Sequence, residues 1–244
     1  MEIPKSHPRY ESLKQRHLLL DGIRDGYVTE AGLIAHGRGE AFDYIFKERT
    51  LPEAYSAEKA GVALLLLSQN PVISVNGNVA ALVSKEIVEL AKIINTKIEV
   101  NLFYRTPERE KMIERILKNN GAEKVYGIGK KIKIHGLKSN RGYVDPEGIY
   151  KADTVLVSLE DGDRTEALIS MKKNVIAIDL NPFSRTSQKA DITIVDNISR
   201  AIPNMIKIAN DLKDTKKYIL KRIINEFNNK ANLDKTMRRI RFNI

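Results

Sequence analysis

Residues 71–103 read PVISVNGNVAALVSKEIVELAKIINTKIEVNLF, and their pattern decides the fold class. The β-branched run VISV predicts a strand, and the polar NGN after it predicts a turn. Lys85 to Ile94 predicts a helix, because its apolar residues recur at helical spacing. The next apolar run, Ile98 to Phe103, predicts a second strand. A strand, a helix and another strand in succession are typical of a parallel sheet covered by its crossover helices.

The same alternation continues toward the C-terminus. A helix through residues 112–117 precedes a short strand, Lys124 to Ile128. Further strands are predicted at Thr154–Leu159, Val175–Leu180 and Ile192–Val195, and further helices at Arg164–Lys172 and Arg200–Leu212. We therefore predict an α/β fold with a doubly wound and mostly parallel sheet of about six strands.

The chain before this sheet is predicted to be helical, with helices from Arg9 to Asp25 and from Glu53 to Ser68. Between them lies GLIAHGRGEAFDY, residues 32–44, whose glycines predict a tightly bent loop that is costly unless it binds something. His36 in this segment fits a structural histidine about as well as a functional one. None of the four histidines is spaced to share a metal with another.

We predict one structural domain with three parts: a helical part with the HGRGE loop (1–70), a nucleotide and substrate part (71–213) and a basic tail (214–244). Apolar residues from Ile219 to Phe227 predict an amphipathic tail helix that packs on its own domain or on a partner subunit. The segment from Lys213 to Ile244 has ten basic and three acidic residues, so it carries +7 of the net charge of +10.

The remaining 212 residues carry only about +3, with no Trp and no interleaved basic and aromatic pattern, which argues against nucleic-acid binding. A chain with 42% hydrophobic and 30% charged residues is typical of globular proteins. The absence of cysteine excludes disulfides, thiolate metal sites and cysteine nucleophiles. Residues 1–10 lack the apolar run of a signal peptide, and no run reaches transmembrane length. We therefore expect a cytoplasmic protein without a membrane partner.

Polar strings directly follow the predicted strands. They are NGN (76–78), YRT (104–106), EDGDRT (160–165), DLNPFSRT (179–186) and DN (196–197). Because the carboxyl ends of parallel strands meet at one edge of the sheet, these strings are expected to share a rim. Each string alone fits a turn or a helix cap, but five together favour a binding site.

The rim strings combine arginines 105, 164 and 185 with aspartates 161, 163 and 179. Guanidinium groups suit phosphate and carboxylates suit a divalent cation, although isolated surface ion pairs would give the same composition. Neither of the nucleotide fingerprints GxxxxGK[ST] and GxGxxG occurs. The residues alone therefore predict a phosphorylated ligand without identifying it.

Longer strings add a resemblance. They are SHPRY (6–10), GLIAHGRGEAFDY (32–44), PVISVNGNVAAL (71–82), NLFYRT (101–106), LEDGDRTEAL (159–168) and ADITIVDN (190–197). From about Pro4 to Pro203 the chain resembles the archaeal phosphopantothenate synthetase (4-phosphopantoate:β-alanine ligase) family, and the tail is expected to lie outside the match.

The resemblance implies a Rossmann-like fold with an added helical part, a homodimer, and the synthesis of 4'-phosphopantothenate for coenzyme A from ATP, 4-phosphopantoate and β-alanine. The pantoate carboxylate attacks the α-phosphate of ATP to give an acyl adenylate and pyrophosphate, and the amine of β-alanine then displaces AMP. No covalent enzyme intermediate is needed, and Mg²⁺ is expected to accompany ATP.

Carried over by motif, the ATP-contacting positions are Arg16, Arg38, Asp179, Leu180, Asn181, Arg185, Thr186, Asn197 and Ile198. We expect Arg38 and Arg185, with Mg²⁺, to neutralise phosphate charge. Asn76, Asn78 and Arg105 are hypothesised to orient phosphopantoate, and Asp161, Asp163 or Arg164 to help bind metal or β-alanine. Asn78 and Arg105 therefore join Arg38 and Arg185 as candidate catalytic residues, and no metal ligand is assigned.

Two other readings stay open at this point. A non-catalytic nucleotide-binding protein could keep the fold and bind nucleic acid through its basic tail, with an affinity that falls steeply with salt. A kinase-type enzyme on the same sheet would release ADP rather than AMP.

Overall fold

The computed structural model describes residues 3–242. Its helices are α1 (Tyr10–Arg24), α2 (Glu30–Ile45), α3 (Pro52–Leu67), α4 (Gly77–Ile94), α5 (Pro107–Asn119), α6 (Gly162–Ser170), α7 (Arg185–Lys189), α8 (Ile198–Leu212), α9 (Lys217–Glu226) and α10 (Asn229–Phe242). Its strands are β1 (Pro71–Val75), β2 (Lys97–Val100), β3 (Val125–Tyr126), β4 (Ile132–Lys133), β5 (Tyr143–Val144), β6 (Thr154–Ser158), β7 (Asn174–Ile178) and β8 (Ile192–Ile194).

Six strands form one parallel sheet in the order β3-β2-β1-β6-β7-β8. The predicted α/β fold with a doubly wound sheet of about six strands is confirmed. β1 pairs with both β2 and β6, so the chain reverses its direction of winding between β1 and β6. In sheets of this order the crevice at that reversal, outside the carboxyl ends of the strands, is where ligands bind.

The sheet is buried on both faces. Ile73 and Leu156 point into the larger core, which α3, α4, α5 and α8 cover. Val72 and Val155, one position earlier on each strand, point into a second core formed with α6 and the segment 134–152. The antiparallel pair of β4, just before this segment, and β5, within it, was not predicted from the sequence. Burial on both sides explains why the strands are apolar almost without interruption.

The segment predicted as a glycine-rich loop is helix α2, which Thr29 caps by accepting a hydrogen bond from Gly32 N at 3.1 Å. Two of its three glycines, Gly32 and Gly39, allow close packing rather than a bend in the backbone. A Cβ built on Gly32 would lie 2.5 Å from Asn78 Oδ1, and one on Gly39 would lie 3.3 Å from Leu180 Cδ1. The loop prediction was wrong because packing against the sheet edge outweighs the low helix propensity of glycine.

The polar NGN is not a turn before a helix that begins at Lys85. Asn76 caps α4, accepting a hydrogen bond from Val79 N at 3.1 Å, and the helix begins at Gly77. The backbone leaves helical geometry once, at Val83 (φ −147°), two residues before the predicted start. The spacing of apolar residues therefore predicted only the part of α4 that follows this interruption.

The tail contains two helices, α9 and α10, where one was predicted. α9 packs on α3, and α10 packs on α3 and β8. Leu233 of α10 is buried against Phe46 and Leu51. Among residues 3–242 no helix has both the length and the apolar character needed to cross a bilayer.

Candidate active site

A cleft of about 470 Å³ opens where the winding reverses, at the carboxyl ends of β1, β2, β6 and β7. Helix α2 forms its opposite wall. Nine of the residues named from the sequence line it: Arg38, Asn76, Asn78, Asp161, Asp179, Leu180, Asn181, Arg185 and Thr186. Four of the five polar strings thus contribute residues to one cleft, whereas DN (196–197) does not line it.

Asn76 and Asn78 organise the centre of the cleft. Asn76 Nδ2 donates to Ser158 O at 2.8 Å and so ties the end of β1 to the end of β6. Asn78 Nδ2 donates to Gly32 O, also at 2.8 Å, which holds α2 against the start of α4. Both side chains therefore fix the shape of the cleft, and both residues line it.

The β7 side of the cleft is built around Asp179. Its carboxylate accepts hydrogen bonds from Asn181 N at 2.9 Å and from Ser184 Oγ at 2.5 Å, which fixes the turn DLNPFSRT. Burial raises the pKa of Asp179, and its hydrogen bonds and the charge of Arg38 act in the opposite direction. Arg185 forms an exposed ion pair with Asp163. Arg38, exposed on α2, thus faces a preorganised polar turn.

The β6 side contains a strained residue and a buried ion-pair cluster. Leu159 has φ +52°, a left-handed conformation that is costly for a leucine and that clusters at functional sites. Glu160, next to it, pairs with both Arg141 and Arg164. Asp161 caps α6 by accepting a hydrogen bond from Arg164 N at 3.1 Å. Burial and the charge of Glu160 raise the pKa of Asp161.

Arg164 and Arg105, both named as possible ligand-contacting residues, do not line the cleft. Arg164 is completely buried, and its Nη1 contacts Glu160 and Ser74 Oγ. Arg105 pairs with Glu110 at 2.5 Å and donates to Tyr143 O at 2.9 Å. In this structure both arginines support the residues that form the cleft.

Four further residues named from the sequence also lie outside the lining. Asp163 is exposed on α6 in its pair with Arg185. Arg16 pairs with Glu40 at 2.9 Å, and Ile198 is buried in the core. Asn197 caps α8 and donates from Nδ2 to Asp43 and Gln15, each at 2.9 Å. Their roles at ATP or substrate stay predictions.

His36 is buried on α2 and does not line the cleft. Burial lowers its pKa, and its Nε2 has no hydrogen-bond partner among the described residues. Within residues 3–242, no three His, Cys, Asp or Glu side chains come together as a metal site.

Two cleft arginines were missed by the sequence analysis. Arg109, in the first turn of α5, donates to Tyr27 O at 2.8 Å and to Tyr104 O. Arg141 lies in the turn before β5, where its own carbonyl and that of Tyr143 accept from Asn101 Nδ2 at 3.2 Å. The signal for Arg109 was its position just after the YRT string, but Arg141 lies in a segment without any periodicity.

The sequence matches one family of known proteins over most of its length. Residues 53–243 match the phosphopantothenate/pantothenate synthetase family. A 4-phosphopantoate–β-alanine ligase of Thermococcus onnurineus is 54% identical over 242 residues, 99% of this chain and 93% of the relative. Ligases of the same name from Thermococcus kodakarensis and Methanosarcina mazei are 53% and 50% identical over 99% and 98% of this chain, and 93% and 94% of those relatives.

The match also corrects one expectation. The tail was expected to lie outside the resemblance, but the family match continues to residue 243 and therefore includes α9 and α10. These helices complete the buried surface of α3 and β8, which explains why they belong to the family pattern. The chain belongs to the phosphopantothenate/pantothenate synthetase family.

Proposed function

We propose that this chain is a cytoplasmic enzyme of coenzyme A biosynthesis that joins 4-phosphopantoate to β-alanine, with ATP converted to AMP and pyrophosphate. One observation carries the proposal: Arg38, Arg185 and the Asp179 turn converge on a cleft at the winding reversal. That is where such sheets bind nucleotides, and the relatives that share this chain over nearly its whole length are ligases of that name.

In the first step, a carboxylate oxygen of phosphopantoate attacks the α-phosphorus of ATP. The bond from that phosphorus to its bridging oxygen breaks, and pyrophosphate leaves with the electron pair. Negative charge concentrates on the phosphate oxygens, where Arg38 and Arg185 supply compensating charge. The backbone N–H groups at the start of α4 and α6 add partial positive charge at the same edge of the sheet.

In the second step, the amine nitrogen of β-alanine attacks the acyl carbon. The bond between that carbon and the phosphate oxygen breaks, and AMP leaves. The ammonium group of β-alanine loses one proton before attack and a second as the amide forms, and both pass to water. Holding the two substrates in one cleft supplies much of the rate, because the reaction becomes effectively intramolecular.

The cleft suits a magnesium ion that arrives with ATP. Mg²⁺ commonly keeps several waters and uses one or two carboxylates besides the phosphates. Of Asp161 and Asp163, which were both named for metal or β-alanine, only Asp161 lines the cleft, so it is the carboxylate we assign to this role. When bound, the ion neutralises phosphate charge.

We also infer that the protein is a homodimer. Large apolar side chains are exposed on two neighbouring helices: Ile34, Tyr44 and Ile45 on α2 and Tyr55 on α3. We infer that these side chains are covered by the second subunit, because exposed apolar surface often marks a protein contact. Light scattering coupled to gel filtration tests this, and a monomer of 27.6 kDa at micromolar concentration would contradict it.

The test of the reaction is product analysis with ATP, Mg²⁺, 4-phosphopantoate and β-alanine, each omitted in turn. We expect AMP and phosphopantothenate in equal amounts, and neither without the full set. ADP in place of AMP would instead identify a kinase-type reaction. No turnover at all would leave a nucleotide-binding protein, and salt-dependent nucleic-acid binding would then be measured.

A further inference from the structure

The two charged groups of the acid substrate are expected to bind at opposite ends of the cleft. This inference rests on the proposed function. In 4-phosphopantoate the carboxylate and the phosphate are at opposite ends of the molecule. The carboxylate must meet the α-phosphate of ATP, so the phosphate of the acid must lie at the end of the cleft away from ATP.

The width of the sheet is large enough to separate the phosphate of the acid from the ATP groups. The groups proposed for ATP follow β7, and the strand order from there is β7, β6, β1 and β2. Neighbouring strands are about 4.8 Å apart, so the loop after β2 lies about 14 Å from the loop after β7. The residues that bind the phosphate of the acid should therefore belong to the β2 side.

Arg109 is the cation of that side. Arg109 lines the cleft, and its guanidinium donates hydrogen bonds to the carbonyl oxygens of Tyr27 and Tyr104. Burial lowers its pKa with no opposing carboxylate, and its Nε is buried without a hydrogen-bond partner among the described residues. The neighbouring Arg105 differs, because the charge of Glu110 opposes the effect of burial on its pKa. No carboxylate among the described residues pairs with this half-buried cation, so it is available to bind an anion from outside the chain.

Arg141 is the second arginine between the ATP side and the β2 side of the cleft, and the carboxylates that it contacts follow β6. It is only 8% exposed, and its Nε and Nη1 lack partners in hydrogen-bond geometry among the described residues. Two carboxylates face it, Glu160 and, at 3.5 Å, Asp161. Arg164 shares the charge of Glu160, so these four side chains sum to zero. The surplus positive charge of the β2 side therefore comes from Arg109. Arg141 contributes N–H groups that can donate hydrogen bonds to a ligand.

The backbone also approaches Arg109. A Cβ built on Gly77, the first residue of α4, would lie 3.3 Å from Arg109 Nη2 and 2.3 Å from Tyr27 O. Glycine at this position lets the N-terminal turn of the helix lie against the guanidinium. Free N–H groups at a helix N-terminus favour phosphate, which adds to the charge of Arg109.

We propose that Arg109, together with Arg141, binds the phosphate group of 4-phosphopantoate and makes the enzyme specific for the phosphorylated acid. This role is distinct from that of Arg38 and Arg185, which serve the phosphates of ATP on the β7 side. Arg105, which was hypothesised to orient this substrate, donates to Tyr143 O, just after the turn that contains Arg141.

The experiment compares Arg109→Gln, Arg109→Lys, Arg141→Gln and the control Arg115→Gln, an exposed arginine on the same helix α5. Calorimetry gives Kd for 4-phosphopantoate and for ATP, and steady-state assays give kcat/KM for 4-phosphopantoate and for unphosphorylated pantoate. Thermal unfolding establishes that each variant is folded.

We expect Arg109→Gln to weaken 4-phosphopantoate binding about 10- to 100-fold, which is the usual effect of losing hydrogen bonds to a charged group. Arg109→Lys should be intermediate because lysine keeps the charge but loses the forked geometry. Arg141→Gln should weaken the same binding by a smaller factor. The Kd for ATP, the activity with pantoate and the control variant should stay within about twofold of wild type, a margin below ~0.5 kcal/mol.

An unchanged Kd for 4-phosphopantoate in Arg109→Gln would overturn the proposal. So would equal losses for ATP, pantoate and 4-phosphopantoate, because they would indicate a purely structural role. Wild-type protein that forms no phosphopantothenate refutes the proposed function instead, and the calorimetric comparison still decides whether Arg109 binds a phosphorylated acid.

Discussion

Arginines of this chain differ in role according to burial and partner. Arg164 is enclosed in the core and holds Glu160, whereas Arg38 is exposed at the cleft. Arg109 lies between these extremes, half-buried and without a carboxylate to oppose the effect of burial on its pKa. The sequence shows only that each residue is an arginine beside polar neighbours. Burial and partner, which decide between support and ligand binding, depend on the tertiary structure.

Substitutions of Arg38 and Asn78 should affect different substrates, ATP for Arg38 and 4-phosphopantoate for Asn78. Arg38→Ala should raise KM for ATP about tenfold or more, because a charged contact to phosphate is lost. Asn78→Ala should reduce turnover at limiting 4-phosphopantoate and leave KM for ATP nearly unchanged, because Asn78 lies at the start of α4. Initial-rate kinetics with each substrate varied in turn measure both effects. Wild-type turnover of Asn78→Ala at limiting 4-phosphopantoate would exclude the role assigned to it.

Glu58 makes stability depend on pH. It is fully buried on α3, where burial and the charge of Asp196 raise its pKa from 4.5 to about 8, although Asn204 donates a hydrogen bond to it. Folding thus favours the protonated form. The stability from this group is fully present below pH 4.5 and is lost as pH rises through about 8.

We expect Glu58→Gln to remove that dependence, because glutamine is neutral at every pH and has nearly the same shape. Urea unfolding of both proteins between pH 6 and pH 9 measures it. The wild type should lose up to a few kcal/mol relative to the variant across this range, at about 1.4 kcal/mol per unit of pKa shift. Parallel pH profiles for the two proteins would show that Glu58 titrates normally.

At the level of elements, helix α2 is the wall that shapes the cleft. Gly32 and Gly37 lie in the same helix, but their surroundings differ. A Cβ on Gly32 would clash with Asn78 Oδ1 at 2.5 Å, whereas one on Gly37 meets nothing within 4 Å. The two positions therefore provide a matched pair.

Gly37→Ala should stabilise the protein by about 0.5–1 kcal/mol, because alanine favours the helix, and should leave activity unchanged. Gly32→Ala gains the same propensity but must displace the Asn78 side chain, so KM for 4-phosphopantoate should rise several-fold. Chemical denaturation and kinetics of both variants give the comparison. Equal kinetics in the two variants would mean that contact between α2 and Asn78 does not shape the substrate site.

The elements also show where sequence reasoning succeeds. The strands β1, β6 and β7 were predicted within two residues because their β-branched runs are buried on both faces. The β4–β5 pair was missed, since each strand has only two residues and no period can be read from it. Asn76 and Asp161 were recognised as rim residues because they follow strands, and both prove to be helix caps at the cleft.

At the scale of the molecule, the tail belongs to the fold. Asn229 Oδ1 accepts from Thr193 N at 2.8 Å, and Asn232 Nδ2 donates to Glu53 O at 3.0 Å. Deleting residues 228–244 would leave these groups without partners and expose Phe46 and Leu51. Because a large buried apolar side chain contributes about 2 kcal/mol, the deletion should lower the free energy of unfolding by several kcal/mol.

The control replaces Lys230 and Arg238, both exposed, with glutamine. This removes two positive charges from the tail and leaves its packing intact, so the thermal midpoint should stay near that of wild type. A deletion with wild-type stability would mean that α10 is dispensable. A double substitution as damaging as the deletion would point to the charge of the tail rather than its packing.

The central claim is that the carboxylate of phosphopantoate is activated on the α-phosphate of ATP in this cleft. The most direct measurement uses 4-phosphopantoate labelled with ¹⁸O in its carboxylate, together with ATP, Mg²⁺ and β-alanine, and follows the label by mass spectrometry. An acyl adenylate transfers one labelled oxygen to AMP, and that is the predicted result. Label in inorganic phosphate, with ADP as the other product, would contradict it, because the acid would then have been activated on the γ-phosphate.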